Sequence, residues 1–338
     1  MELLEHKAKL REKYPVKPDF RKRMEDLIGK KDSDEFFEIA YYGSPSSIRI
    51  NTLKISVEEC KQRLEDYGWK LDQPIEKHPE ILIIKSRLKP GELGKTKEHL
   101  LGYYYVQDIS SMLPLLVLLP TKEDIFLDLC ASPGSKTTQA AAMMENSGVL
   151  IANELSLGRI SILNSNLERC GVSNAIVTKN DGVRFCKRVR KKTKFVFDKI
   201  LVDAPCSGEG TLRKSLKTFN MWNEKVIFNL SKIQKRLAVE ALKCLSVGGE
   251  MIYSTCTLGP EENEAVVDFL IKNFEIEILD IEIEGIKLRE GVVSWRGEEY
   301  DSQVQKCRRL YPQDNNTDGF FLCKIRKLSD KCELEDEK

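Results

Sequence analysis

Three acids in this chain each stand at the end of a run of strand-forming residues: Asp128, Glu154 and Asp181. Asp128 opens the stretch Asp128-Leu129-Cys130-Ala131-Ser132-Pro133-Gly134-Ser135-Lys136-Thr137, a small-residue turn leading into a helix. It is neither the G-x-G-x-x-G of nicotinamide enzymes nor a P-loop. Pro133 pre-sets the turn, and Gly134 is expected to let the backbone approach a ligand closely. The helix start beyond it offers N–H groups to a carboxylate. Glu154 suits two ribose hydroxyls, and Asn180-Asp181 suits an adenine amino group. One acid after a strand is commonly a structural cap. Three after consecutive strands are harder to dismiss. A ligand with adenine, ribose and a carboxylate, but no phosphate, fits S-adenosylmethionine.

Two cysteines also stand at strand ends, in Asp203-Ala204-Pro205-Cys206-Ser207 and Tyr253-Ser254-Thr255-Cys256-Thr257. For a single cysteine, inert burial is the favoured reading. Two at equivalent strand ends, beside an implied methyl donor, reverse it. C5 of a pyrimidine is a poor nucleophile. A thiolate adding to C6 creates an enamine whose C5 can attack a methyl sulfonium; a base then takes the C5 proton and the thiol leaves. Acid near N3 promotes the addition, a contact for which Asp203 is well placed. Lys136 would orient the base or polarise the site. Spacing alone does not say which cysteine attacks.

The elements that position these residues follow from periodicity. From about residue 122, strands at 125–130, 149–155, 175–180, 199–204 and 250–255 alternate with helices at 135–145, 156–170, 229–245 and 260–272. Such alternation predicts a parallel sheet with helices on both faces, binding ligands at the carboxyl ends of its strands. Upstream, 43–105 reads as a small α/β module after the linker Gly43-Ser44-Pro45-Ser46-Ser47. Residues 1–42 read as a basic, solvated helical extension, with an RNA-touching arm as the sharper alternative. Residues 106–328 would form the catalytic domain and 329–338 an acidic tail.

Composition sets the outer limits. The 338 residues suggest about two domains. With 54 basic and 53 acidic residues, binding of nucleic acid by bulk charge is excluded, so any polyanion site is a local patch. No apolar run approaches the roughly 20 residues of a membrane span. Ten scattered cysteines without a C-x-x-C pair, and three histidines, argue against a metal site and for cytosolic free thiols.

The stretches Asp128–Thr137, Asp203–Lys214 and Tyr253–Glu264 resemble the signature motifs of the Nop/Sun family of RNA cytosine-5 methyltransferases, here of the archaeal tRNA-methyltransferase type. Arg49–Lys54, Tyr105–Ser111 and Gly319-Phe320-Phe321 are similar to further segments of that family. The resemblance implies a Rossmann-like doubly wound α/β sheet with a small N-terminal RRM-like module, and S-adenosylmethionine as cofactor. It implies that Cys256 of the Thr-Cys pair is the nucleophile and that Cys206 of the Pro-Cys pair assists product release. It assigns Glu154, Arg159, Asp181 and Asp203 to the cofactor side, with the loop residues Asp128, Cys130, Ala131, Ser132, Pro133, Gly134, Ser135 and Lys136.

The expected partner is RNA, transfer RNA first and ribosomal RNA second, in a cytoplasmic enzyme. A DNA cytosine-5 methyltransferase and a non-catalytic RNA-binding or ribosome-assembly factor are the competing readings. Arg184, Lys187, Arg188, Arg190, Lys191, Lys192 and Lys194 form either a solvated face or a phosphate track. Arg49, Asn51 and the small module resemble the family's RNA-binding part. Arg213-Lys214 would clamp phosphates or lie solvated. Trp222, Trp295 and Tyr311 would stack on bases or pack in the core.

Overall fold

The structure is a computed structural model describing residues 2–193 and 196–334. It opens with three helices, α1 (Glu2–Lys13), α2 (Pro18–Ile28) and α3 (Lys30–Ala40). A small antiparallel sheet follows, in the order β2 (Leu71–Asp72), β3 (Ile81–Ile84), β1 (Ser46–Ile50), β4 (Tyr104–Val106). The helix α4 (Val57–Asp66) covers it, started by Ser56, whose hydroxyl accepts the Glu59 N–H. A Ser at this position satisfies one of the four unpaired amides of a first turn.

The large sheet is built from β5 (Ile125–Asp128), β6 (Val149–Glu154), β7 (Ala175–Lys179), β8 (Phe197–Asp203) and β9 (Leu245–Thr255). These five pair in parallel in the order β7-β6-β5-β8-β9. The chain then adds β10 (Phe274–Leu279), β11 (Arg289–Glu290), the separate hairpin of β12 (Ser294–Trp295) and β13 (Glu298–Glu299), β14 (Arg308–Leu310) and β15 (Phe320–Cys332). β15 lies antiparallel beside β9, with β14 and β10 both paired to it.

Alternation along the strands explains the two layers. Leu127, Ile200, Val202, Met251 and Tyr253 point into one core with Leu237, Leu242 and Val266. Phe126, Leu150, Leu201 and Ile252 point into the other with Met112, Leu115 and Leu163. A period of two sends successive side chains to opposite faces, so strands covered on both sides read as unbroken apolar runs. The second layer includes the helix Ile109–Leu118, which the sequence reading did not foresee. Pro114 within it and its apolar character all round obscure any helical stripe.

Two sequence expectations are corrected here. Residues 18–40 are not a solvated extension. Phe20, Met24, Phe36 and Phe37 are buried together with Leu212, Phe219, Trp222 and Leu258 of the large domain. Phe20 stacks on Trp222 with ring centroids 4.8 Å apart. The basic residues of these helices conceal an apolar inner face. The expected tail also starts too early: β15 continues to Cys332, pairing Cys332 with Phe274, and residues 335–338 lie outside the described ones.

Candidate active site

β5 sits between β6 and β8, where strand order reverses, and its end is where open sheets of this type bind ligands. Asp128 is buried there. One of its oxygens accepts the Thr137 hydroxyl at 2.7 Å. The other, Oδ1, has no hydrogen-bond partner among the described residues. Burial pushes this carboxyl up to about 7, against the Thr137 hydrogen bond and with the added charge of Asp203.

The turn after it closes by the Gly134 N–H on the Ala131 carbonyl at 2.8 Å. Gly134 has φ 102°, and a Cβ there would stand 3.0 Å from Leu163 Cδ1. The glycine serves backbone conformation and close packing on the helix Leu157–Cys170.

Glu154 accepts the Ser156 N–H at 2.9 Å and lies 3.4 Å from Arg159 Nη1. Arg159 also donates to the Ser132 carbonyl at 2.6 Å. Asn153 donates to the carbonyls of Leu129 and Asn180, both at 3.1 Å, tying three strand ends together. Asp181 caps the helix Gly182–Lys192 through the Arg184 N–H at 3.0 Å. Glu154, Arg159 and Asp181 line a cleft of about 540 Å³ together with Leu155, Leu230, Ile233 and Leu237. Cys130 is part of its wall, and burial pushes that thiol up, so it packs as a neutral group.

A second cavity of about 260 Å³ adjoins the first, the two sharing Cys130, Ser132, Asp203 and Cys256. Ala131, Pro133, Ser135, Lys136, Lys214, Asp318 and Phe320 also line it. Lys136 donates to Asp203 Oδ2 at 2.7 Å and to the Ser111 hydroxyl at 2.9 Å. Ser254 donates to the other Asp203 oxygen at 2.9 Å. Because β8 and β9 are parallel neighbours with Asp203 opposite Ser254, the loops beyond them leave side by side. Cys206 Sγ and Cys256 Sγ are 3.1 Å apart. That hydrogen bond and burial push the Cys206 thiol well up.

Other expected residues lie elsewhere. Arg49 and Asn51 are buried and bond within the protein. Arg49 donates to Gln107, to the Ser135 carbonyl at 2.9 Å and to Thr138 at 2.9 Å. Asn51 donates to the carbonyls of Gly102 and Cys170, both at 2.8 Å. They join the small sheet to the large domain and offer nothing to RNA. Arg213 is neither a phosphate clamp nor solvated. It donates to the carbonyls of Tyr42, Gly43 and Thr317 and to the Asn316 side chain. Lys214 pairs with Asp318 at the second cavity. Trp222, Trp295 and Tyr311 are core residues, at 7%, 7% and 2% exposure. In the basic run Arg184, Arg188, Lys191 and Lys192 are exposed, Arg190 turns to Glu240 at 3.5 Å, and Lys194 lies outside the described residues.

Sequence reasoning assigned no role to Ser111, Asp318, Gln234 or Glu262, although Ser111 and Glu262 lie in stretches that resemble family motifs. The acids of Pro260-Glu261-Glu262-Asn263-Glu264 carried the available signal, as four polar residues in a row shortly after the Thr255-Cys256 pair.

Comparison with known proteins agrees with this geometry. Residues 115–326 match the family described as 16S rRNA methyltransferase RsmB/F. Residues 16–109 match the N-terminal domain of 16S rRNA methyltransferase RsmF. The chain is 40% identical over 315 residues to the tRNA (cytosine(49)-C(5))-methyltransferase of Pyrococcus abyssi, covering 92% of this chain and 98% of that protein. It is 39% identical over 298 residues to the ribosomal RNA small subunit methyltransferase F of Aliivibrio fischeri, covering 88% of this chain but only 60% of that protein. A methyltransferase homolog protein from Pyrococcus horikoshii superposes with a TM-score of 0.82 at 32% identity, over 95% of this chain and 99% of its own. NSun6 from Pyrococcus horikoshii, solved with SFG, superposes with a TM-score of 0.80 at 25% identity, over 94% and 99%. The fold, the two joined cavities and these matches lead to one conclusion: the chain belongs to the RsmB/F family of RNA cytosine-5 methyltransferases, the Nop/Sun type that its motifs resemble.

Proposed function

We propose that this protein methylates C5 of a cytidine in transfer RNA, with Cys256 as nucleophile and Cys206 assisting product release. The observation that carries the reading is the 3.1 Å approach of the two sulfurs where two cavities meet, Cys256 and the Lys136-bound Asp203 lining both. S-adenosylmethionine is the cofactor, and it supplies an electrophilic methyl group. The larger cleft suits it: Glu154 for ribose hydroxyls, Asp181 for the adenine amine, apolar walls for the ring. The unpaired Asp128 oxygen offers a buried acceptor beside the turn.

The smaller cavity takes the base, which must leave its stack to reach it. Cys256 gives up its thiol proton to solvent as its sulfur adds to C6 and the C5–C6 π pair passes to C5, which takes the methyl group, while Asp203, held by Lys136 and Ser254, faces N3. Bonding of Cys256 to C6 removes its contact with Cys206 and leaves the Cys206 sulfur free to act as the base. The Cys206 thiolate then takes the C5 proton. The C5–H pair becomes the C5–C6 double bond, and the C6–S pair returns to Cys256. Methyl transfer in this scheme needs no other nucleophile.

Transfer RNA is favoured because the chain spans nearly all of the Pyrococcus abyssi tRNA enzyme. Ribosomal RNA is the second reading, favoured by the family description and by similar identity to the ribosomal enzymes. Bisulfite sequencing of total RNA with and without the protein decides between them. In denaturing gels with labelled RNA, Cys256→Ala should give neither product nor adduct, whereas Cys206→Ala should accumulate a protein–RNA adduct. The opposite pattern would transfer the nucleophile to Cys206.

A further inference from the structure

Bonded to the residue after Cys206 is a buried carboxyl with no part in the proposed transfer. Glu262 is fully buried, in the short 3₁₀ turn Pro260–Glu262 that follows Cys256. It accepts the Ser207 N–H at 3.0 Å and the Ser207 hydroxyl. It accepts Gln234 Nε2 at 2.7 Å, and the same Gln234 nitrogen donates to the Pro205 carbonyl at 2.8 Å. The residues on both sides of Cys206 are thus held by one carboxyl, one directly and one through Gln234.

The same network reaches the other thiol. The Ser207 hydroxyl is 2.7 Å from that of Thr257, the residue after Cys256. The Glu262 carbonyl accepts the Tyr253 hydroxyl at 2.6 Å, anchoring the turn to β9, which ends just before Cys256. All these donors are neutral. No cation pairs with Glu262 among the described residues, and Glu209 is a nearby like charge. Burial pushes its carboxyl up to about 7, against the Ser207 and Gln234 hydrogen bonds. A buried acid is costly unless its hydrogen bonds are well made. One placed here without a cation calls for an explanation beyond stability.

We infer that Glu262 is a positioning residue for product release: it fixes the Pro205-Cys206-Ser207 loop so that the Cys206 sulfur meets the C5 proton of the Cys256-bound base. The inference rests on the proposed roles of the two cysteines. It involves no new bond, because the proton still passes from C5 to Cys206 and the C6–S pair to Cys256. Glu262 acts only by holding Cys206 in reach. Misplacing a reacting group by about 1 Å can cost on the order of a hundredfold in rate.

The test is a single-turnover assay that separates methyl transfer from adduct decay. The variants are Glu262→Gln, which keeps volume, and Gln234→Leu, which frees the Pro205 side and removes one donor from Glu262 while leaving its Ser207 bonds, and serves if the first does not fold. Cys206→Ala runs beside them. Adduct decay should slow by about tenfold to a hundredfold in the folded variants. First-turnover methyl transfer should fall far less, a split that general loosening of the fold would not give. If Cys206→Ala traps adduct while folded Glu262→Gln and Gln234→Leu release it at the wild-type rate, the inference about Glu262 is wrong. Equal losses in both steps overturn it too. If Cys206→Ala traps no adduct, the release role of Cys206 fails and the Glu262 inference falls with it.

Discussion

Glu154 uses one carboxylate oxygen on the Ser156 amide and turns the other toward Arg159, leaving acceptor capacity for a ribose. Glu154→Ala should weaken S-adenosylmethionine binding by about 1.5–3 kcal/mol, the usual worth of hydrogen bonds to an ionised group. Calorimetry on the folded variant reads this directly, and unchanged affinity would remove Glu154 from the ribose site. Asp128 makes a different prediction. Its folded carboxyl lies at about 7, while an unfolded Asp titrates near 4. The folded state therefore holds a proton that the unfolded chain releases, and this contribution to stability is lost as pH rises from about 4 to 7. Asp128→Asn cannot ionise, so its melting temperature should fall less than wild type between pH 5 and 8. Parallel melting curves would exclude a raised Asp128. The acids and thiols at strand ends were legible because strand–loop junctions can be read from local pattern. Glu262 was not, because its partners Ser207 and Gln234 lie 55 and 28 residues away in sequence.

Among the elements, the helix Gly182–Lys192 buries Val183, Phe185 and Cys186 and turns Arg184, Arg188, Lys191 and Lys192 outward. An outward basic stripe on a packed helix suits a phosphate track. Replacing Arg184, Lys191 and Lys192 with Gln should weaken RNA binding and flatten its salt dependence by about 0.7–0.9 per lost contact. An unchanged slope would leave these residues as a solvated face. Arg49 on β1 makes the opposite case. It is buried between the small sheet and the helix Ser135–Met143, with neutral acceptors around it, and burial pulls its guanidinium down to about 10. Arg49→Ala leaves those acceptors unpaired beside a cavity and should cost on the order of 3 kcal/mol. Chemical denaturation measures that loss, and the RNA salt slope should not change. In sequence the two kinds of arginine look alike; only packing separates an arginine that faces phosphate from one that welds two units.

At the scale of the whole molecule, the N-terminal helices belong to the catalytic domain's structure. Arg23 of α2 is buried and reaches Glu261 at 3.0 Å and Glu209 at 3.4 Å. Glu209 in turn accepts Trp222 Nε1 at 2.8 Å and the Thr257 hydroxyl at 3.2 Å, next to Cys256. Arg23→Ala strands two buried carboxylates, and losing one partner of such a pair typically costs about 3–5 kcal/mol. Thermal unfolding and methyl transfer should fall together in this variant, and wild-type behaviour would make the helices a dispensable extension. The sequence by itself determined the strand–helix alternation, the doubly wound sheet, the motif loops and the two candidate thiols. Each of these is written in local periodicity or in a contiguous motif. Only the tertiary structure decided that the sulfurs at the ends of the neighbouring strands β8 and β9 come within 3.1 Å. It alone placed Arg49, Asn51 and Arg213 in the interior, and it alone folded α2 and α3 onto Phe219 and Trp222. The reason is physical: burial and hydrogen-bond partnership depend on residues far apart in the chain, and a charged side chain carries no local mark of whether an oxygen or water will face it.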